Sequence, residues 1–465
     1  MKTINLQRMA LLVLLTAHLL TIVDIFIVNI AIPSIEDGLA SSNAETQLIV
    51  AIYMIGLASF LIIGSRAGDY YGRKYLFMIG LLLFMIFSAG CGFASSSKQL
   101  IALRFFQGIS AGLMSPQVLS YIQILFPSDK ERTYALGWYG ITIGIGTMLG
   151  QFLGGFLVEI KPFIINQSWR YIFLINIPIC LLNLFLAKLF LKNSVNASVL
   201  SMDYKGASIL CLSLILLLFS ITIGYEQSVT VCIFTFVASL LLIMYFLFSQ
   251  RQNENKVLLD LKLFRFKNFN MAVLAVILFM FMLDAYFFVL ALFLQEGLNL
   301  SPMQAGYFVI FQGSGFIITS LFAAPIILKF GKNILIIGIL LIMSALIFQL
   351  ILFKYPIIDW KSYMTMVFHG CGVALVLPAF ANIAMKGLPE NMVGNASGVY
   401  STLQQLAGAL GIALNGGLFY YIIDQNLGWI NFYQAFAYSS CIHFVCLILV
   451  LFILILLPKS ILKKV

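Results

Sequence analysis

Fourteen stretches of roughly twenty or more apolar residues, separated by short polar connections, occupy most of the chain between residues 9 and 456. Inside a bilayer every backbone N–H and C=O must find its partner within the protein, so a spanning segment is a helix or a strand of a closed barrel. A helix needs about 20 apolar residues to cross and a strand only about half that number. The stretches have the helical length, and the chain reads as an all-α polytopic membrane protein. The first stretch, 9–33, is too long for a signal-peptide core and lacks a small-residue cleavage site, so it is expected to be retained as a helix.

Charge sets the orientation. Only 9% of the residues are charged, where a soluble domain carries about 25%. The net charge of +10 does not point to nucleic acid, because the basic residues sit in the short gaps between apolar stretches. The two tails and the connections after even-numbered stretches hold 21 Lys and Arg, against 5 in the connections after odd-numbered stretches. By the positive-inside rule both termini face the cytoplasm, and the expected location is a bacterial-type cytoplasmic (inner) membrane. The seven cysteines fall in or beside apolar stretches without metal-ligand spacing. No nucleotide-binding loop, metal cluster or hydrolytic triad is present in the sequence, so neither enzymatic activity nor a cofactor is expected.

The chain repeats itself. At an offset of 260, Asp24 aligns with Asp284, Ala31 with Ala291 and Glu36 with Glu296. YGRK at 71–74 aligns with FGKN at 330–333 at an offset of 259. Phe106, Gly108, Pro116, Gly146, Gly154 and Gly155 then align with Phe368, Gly370, Pro378, Gly408, Gly416 and Gly417 at 262. Two six-helix halves are expected at 9–190 and 271–456, with two further helices inserted at 206–248. An even insertion leaves both halves in the same orientation, a parallel repeat about the membrane normal. The expected division is 1–195 for the first bundle, 196–265 for the inserted pair and its loop, and 266–465 for the second bundle. Two such halves around a central cavity suit alternating access better than a static pore.

Several polar residues stand out at depth. A carboxylate at mid-span costs roughly 3 kcal/mol on insertion scales, so Asp24 and Asp284 are expected to face a cavity or a partner. A carboxyl there can exchange protons or pair with a cationic substrate. Arg104 aligns with Met366, so only one half needs the charge; it can anchor a carboxylate but cannot release a proton. A structural salt bridge to Asp24 is the alternative. Gln107 and His369 align with each other, and Gln404 and Gln405 lie on the thirteenth stretch; these are candidate substrate contacts or interhelical hydrogen bonds. Asp69, Gly72, Arg73 and Lys74 form a charged turn that either gates the cytoplasmic side or only fixes topology. Gly146, Gly150 and Gly154 form a GxxxGxxxG stripe, joined by Gly155, expected to be a sliding contact between halves or simple close packing.

These stretches resemble the major facilitator superfamily, and within it the fourteen-helix drug:proton antiporters that include multidrug and quaternary-ammonium exporters. VDIFIVNIAIP (23–33), GDYYGRK (68–74), LIALRFFQG (100–108), WRYIFLINIPI (169–179), LSPMQAG (300–306) and ASGVYSTLQQLAGALG (396–411) carry the resemblance. It implies a proton or substrate site at Asp24, proton coupling at Arg104 and a gate at Asp69, Gly72, Arg73 and Lys74. The chain departs from the pattern at Gln151, where the antiporter motif has proline, at Ser65 in place of glycine and at Tyr70 in place of a basic residue. Gln151 is expected either to hydrogen-bond across the halves in place of the proline kink or to be a tolerated substitution without consequence. The function implied is export of small amphipathic or cationic compounds against protons. A carrier for a specific metabolite or siderophore is a second reading, and a sensor or scaffold that transports nothing is a third. The partners expected are a small-molecule substrate, protons and the lipid bilayer; the sequence does not say whether a periplasmic adaptor is needed.

Overall fold

The computed structural model describes residues 2–161, 166–192, 203–222, 228–252, 258–424 and 429–458. Fourteen long helices run through them: α1 (Lys2–Leu39), α2 (Asn43–Tyr71), α3 (Arg73–Gly92), α4 (Ser97–Leu125), α5 (Asp129–Glu159), α6 (Asn176–Phe190, entered through short turns at Ser168–Arg170 and Tyr171–Leu174), α7 (Tyr204–Ile221), α8 (Val229–Gln252), α9 (Lys267–Leu292), α10 (Pro302–Phe330), α11 (Lys332–Leu352), α12 (Trp360–Met385), α13 (Glu390–Ile423) and α14 (Trp429–Leu456). The boundary at residue 195 lies outside the described residues, as does Lys256 of the charged connection after α8.

Thirteen of these helices are long and apolar enough to cross a membrane. The exception is α4, and the reason is physical. Its polar residues Arg104, Gln107, Ser110 and Gln117 are fully buried inside the protein, so α4 spends its hydropathy on protein contacts rather than on lipid.

Local chemistry starts and stops the helices at repeated places. Ser42 accepts from the Glu45 amide while Glu45 reaches back to the Ser42 amide, a capping box that opens α2. Ser301 and Gln304 do the same for α10, 259 residues on. Single glycines separate α2 from α3 and α10 from α11: Gly72 has φ 103° and Gly331 φ 61°, a left-handed backbone that glycine adopts without strain. Beyond each turn a lysine satisfies the open carbonyls of the last helix in its half. Lys74 Nζ donates to Lys188 O at 2.8 Å and Leu191 O at 2.6 Å, closing α6. Lys332 Nζ donates to Ile455 O at 2.7 Å and to Leu457 O, closing α14.

The two halves share one packing scheme. In the first, α2 packs on α4, α1 on α5, α3 on α4 and α6, and α1 on α6; in the second, α10 packs on α12, α9 on α13, α11 on α12 and α14, and α9 on α14. The halves meet along two seams, α2 against α13 and α5 against α10. The inserted helix α7 lies on α2 and α13, and α8 packs on α7.

The glycine stripe corrects the sequence expectation. Gly146, Gly150 and Gly154 face α1 of their own half, not the other half. A Cβ on Gly150 would sit 2.8 Å from the Val23 carbonyl oxygen, and one on Gly146 2.7 Å from Ile22. One residue on, about 100° around the helix, Gly155 lies against Pro302 and does face α10. Gly144 and the α10 glycines Gly306 and Gly313 complete that seam, against Phe316, Gln151 and Met148. A stripe at i, i+4, i+8 marks a single face, and here that face closes a half. Replacing Gly150 with leucine is therefore expected to destabilise the first half by about 1–3 kcal/mol through overpacking. The same change at Gly137, which has no neighbouring atom within 4 Å, is expected to have little effect. Thermal unfolding of the two purified variants checks this, and equal melting temperatures would count against the assignment.

Candidate functional site

The centre of the first half is a closed polar cluster built from five helices. Glycines let α4 come close to α2, since a Cβ on Gly108 would strike the Tyr53 carbonyl. That approach brings Arg104 Nε to 3.3 Å from the Ile49 carbonyl and sets its guanidinium 4.2 Å from the centre of the Tyr53 ring. Arg104 Nη1 then donates to Asp24 Oδ2 in an ion pair with both side chains fully buried. Gln107 Nε2 donates to Asp24 Oδ1 at 2.9 Å, and its own Oε1 accepts from Arg104 Nη1 at 2.9 Å. Asn176, the first residue of α6, donates to Asp24 Oδ1 at 3.0 Å and to Ser88 Oγ on α3 at 2.9 Å. Each oxygen of Asp24 thus has a donor, and the pair is the paired, hydrogen-bonded form in which a buried charge is tolerated.

The same depth in the second half holds a different chemistry. Tyr286 on α9 stacks on His369 with ring centroids 4.5 Å apart. Its hydroxyl lies 2.9 Å from Gln349 Nε2 and 3.3 Å from Met366 Sδ. Met366 and His369 align with Arg104 and Gln107 at an offset of 262, so Tyr286, and not Asp284, occupies the place of Asp24. The glycines give the same register: Gly146 lies against Ile22 and Gly408 against Asp284. The pairing of Asp24 with Asp284 read from the sequence is therefore corrected by two residues. The α9 helix follows the 262 offset, and α10 with its capping box and glycine turn follows 259. Matching letters at 260 fell between the two.

Asp284 is consequently not a copy of Asp24. It is 3% exposed, and its Oδ2 has no hydrogen-bond partner among the described residues. It lies where α9 meets the seam, with Oδ2 against Gly408 of α13 and beside Met54 of α2 in the other half. Gln404 and Gln405 on α13 are half-buried, and Gln404 Nε2 reaches Met280 Sδ at 3.8 Å. His369 is buried behind α9, and neither ring nitrogen has a hydrogen-bond partner among the described residues.

The gating candidates lie at both ends. Asp69 pairs with Arg73 at 2.6 Å, four residues along the same turn; with Gly72 and Lys74 it ties α2, α3 and α6 together within one half. Gln151 is fully buried, but neither atom of its amide has a hydrogen-bond partner among the described residues. Its backbone carbonyl, lying against Gly306, makes the seam contact instead. At the end carrying the connections after odd-numbered helices, side chains join the halves directly. Asn43 Nδ2 donates to Asp424 at 3.2 Å, Tyr420 OH to Glu36 at 3.3 Å and Gln295 Nε2 to the Ile30 carbonyl at 3.0 Å. Glu159 accepts from the Met303 amide at 2.8 Å. Toward the opposite end of α5, Gly137 and Gly140 face open space.

The sequence reading missed Asn176, Ser88 and Tyr286. Asn176 stood inside the quoted stretch WRYIFLINIPI, and an amide two residues before a proline in an apolar run was the available signal. Tyr286 was hidden by the register.

The model of the Major Facilitator Superfamily matches residues 14–412. The chain is 29% identical over 428 residues to a probable actinorhodin transporter of Streptomyces coelicolor, covering 90% of this chain and 73% of that protein. It is 27% identical to the multidrug resistance protein Stp of Mycobacterium tuberculosis, covering 85% of this chain and 72% of that one. Among solved structures, an inward-facing, unoccupied bacterial homologue of the human lysosomal transporter Spinster superposes with a TM-score of 0.70 at 15% identity, covering 98% of each chain. With two six-helix halves in parallel repeat, two inserted helices and a family match over most of its length, the chain is a membrane transporter of the Major Facilitator Superfamily.

Proposed function

We propose that the protein exports small amphipathic or cationic compounds in exchange for protons, by alternating access. One observation carries this reading. The first half buries a fully hydrogen-bonded Asp24–Arg104 pair, while in the second Asp284 Oδ2 has no donor among the described residues beside the seam. A buried pair separates when its acid is neutralised, so Asp24 and Arg104 suit proton coupling. A carboxylate with no partner of its own suits a cation brought by the substrate, so Asp284 suits recognition, with Gln404 and Gln405 as further contacts. The names of the relatives, which include a probable actinorhodin transporter and a multidrug resistance protein, favour export of small organic compounds.

With both termini in the cytoplasm, the end joined by Asn43–Asp424 and Tyr420–Glu36 is the external one. The conformation is then sealed on the external side. Segments 1–195 and 266–465 act as the two rocking units, linked through 196–265. The test is transport in proteoliposomes with an imposed pH gradient, using a fluorescent quaternary-ammonium probe. The probe should move against its own gradient when protons flow the other way, and collapse of the pH difference should stop it. Movement that ignores the pH difference would remove proton antiport.

A further inference from the structure

The proton-coupling reading leaves open how a proton on Asp24 moves anything. Three donors hold the carboxylate, and they are not alike. Arg104 stays charged whatever Asp24 does. Gln107 is fixed in orientation, because its Oε1 accepts from Arg104 at 2.9 Å; turning its amide over would set its NH₂ group against the guanidinium. Asn176 has no such lock. Both of its N–H groups are in use, one to Asp24 Oδ1 and one to Ser88 Oγ. Ser88 in turn donates to the Phe173 carbonyl at 2.8 Å. That carbonyl belongs to the short helix Tyr171–Leu174, which continues into α6 through Ile175 in right-handed helical conformation (φ −60°, ψ −25°). Pro178 has no N–H to offer the Leu174 carbonyl, so the hydrogen-bond ladder is broken at this join. The chain Asp24, Asn176, Ser88, Phe173 therefore runs from α1 through α6 and α3 to the break ahead of α6, with every member buried.

We propose that Asn176 and Ser88 form a reversible hydrogen-bond relay that reads the protonation of Asp24 and passes it to the break before α6. The protons balance. With Asp24 ionised, Asn176 donates to Asp24 and to Ser88, and Ser88 donates to Phe173. When Asp24 takes a proton on Oδ1, the Asn176 amide turns over. Its Oδ1 accepts from Asp24 and from the Ser88 hydroxyl, and the Phe173 carbonyl loses its donor. No bond other than hydrogen bonds changes. The break, no longer pinned to α3, is free to bend. Asn176 is in this sense a positioning residue, acting through Asp24 and not on the substrate.

The relay rests on Asp24 being a coupling site, so the test uses three variants side by side in proteoliposomes. Asp24→Asn removes the titrating group and should abolish the pH dependence of transport. Asn176→Leu removes a charge-assisted hydrogen bond from the ionised carboxylate and a weaker neutral one from the acid, so the balance shifts toward the acid and proton loading becomes easier. The pH of half-maximal transport should rise by about one unit, with substrate Kd at fixed pH unchanged. Ser88→Ala keeps the donor to Asp24 but cuts the relay, so the pH midpoint should stay while the pH-driven rate falls at least about fivefold. A parent-like pH profile in Asn176→Leu, or a parent-like rate in Ser88→Ala, overturns the relay. If Asp24→Asn keeps the parent's pH dependence, the coupling reading fails first. If only the other two variants match the parent, the relay fails alone.

Discussion

Replacing Arg104 with methionine is expected to abolish proton-driven transport and to destabilise the protein by about 3–5 kcal/mol, the usual result of removing one partner of a buried ion pair. Both side chains are fully buried, so Asp24 would be left with only the amides of Gln107 and Asn176 for compensation. The second half shows that the scaffold itself does not require the charge. At the same depth it carries Met366, Tyr286 and His369 in the matching positions. The double variant Asp24→Asn with Arg104→Met should therefore regain much of the stability, because exchanging a whole buried pair for less polar groups is often neutral. Transport should not return with it. Thermal unfolding and pH-driven transport measured on both variants separate the two roles. If the double variant recovers transport together with stability, the pair is architecture and nothing more.

What was legible in the sequence was set by periodicity, and what was not was set by register and orientation. The number of helices, the parallel repeat and the inserted pair all follow from apolar run lengths and a nearly constant offset. Asp24, Arg104 and Gln107 were found because a charge or an amide at mid-span is expensive unless something compensates it. Their mutual contact was left open because no sequence pattern fixes which face of α4 looks toward α1. The register error at Asp284 shows the limit of matching letters. The path from Asp24 to the α2 cap at Ser42 is three residues longer than that from Tyr286 to the α10 cap at Ser301, as the change of offset from 262 to 259 records, and an alignment at 260 split the difference. Glycine spacing likewise identified a close-packed face at Gly146, Gly150 and Gly154. It did not say that the partner would be α1 and not α10, a matter decided by a rotation of a single residue.

That register correction changes what Asp284 is for, and Asp284→Asn is the change that exposes it. Had Asp284 been the copy of Asp24, a partner equivalent to Arg104 would be needed beside it. The position equivalent to Arg104 holds Met366, which contacts Tyr286 instead. Asp284 looks the other way, toward Gly408 and across the seam to Met54. Its Oδ2 has no donor among the described residues, and an ionised carboxylate at such depth costs roughly 3 kcal/mol on insertion scales. A chain under selection for stability alone gains nothing from it. The asparagine variant keeps the shape and removes the charge, so its melting temperature should equal or exceed that of the parent. Transport of a quaternary-ammonium probe should fall by about thirtyfold or more, corresponding to the 2 kcal/mol at the lower end for loss of a buried charge partner. A neutral amphipathic probe, which makes no use of the charge, should still be carried. Equal losses for both probes would make Asp284 a coupling site in place of a recognition site. Undiminished transport of the cation would remove it from the mechanism altogether, and with it the argument that the second half reads the substrate while the first half reads the proton.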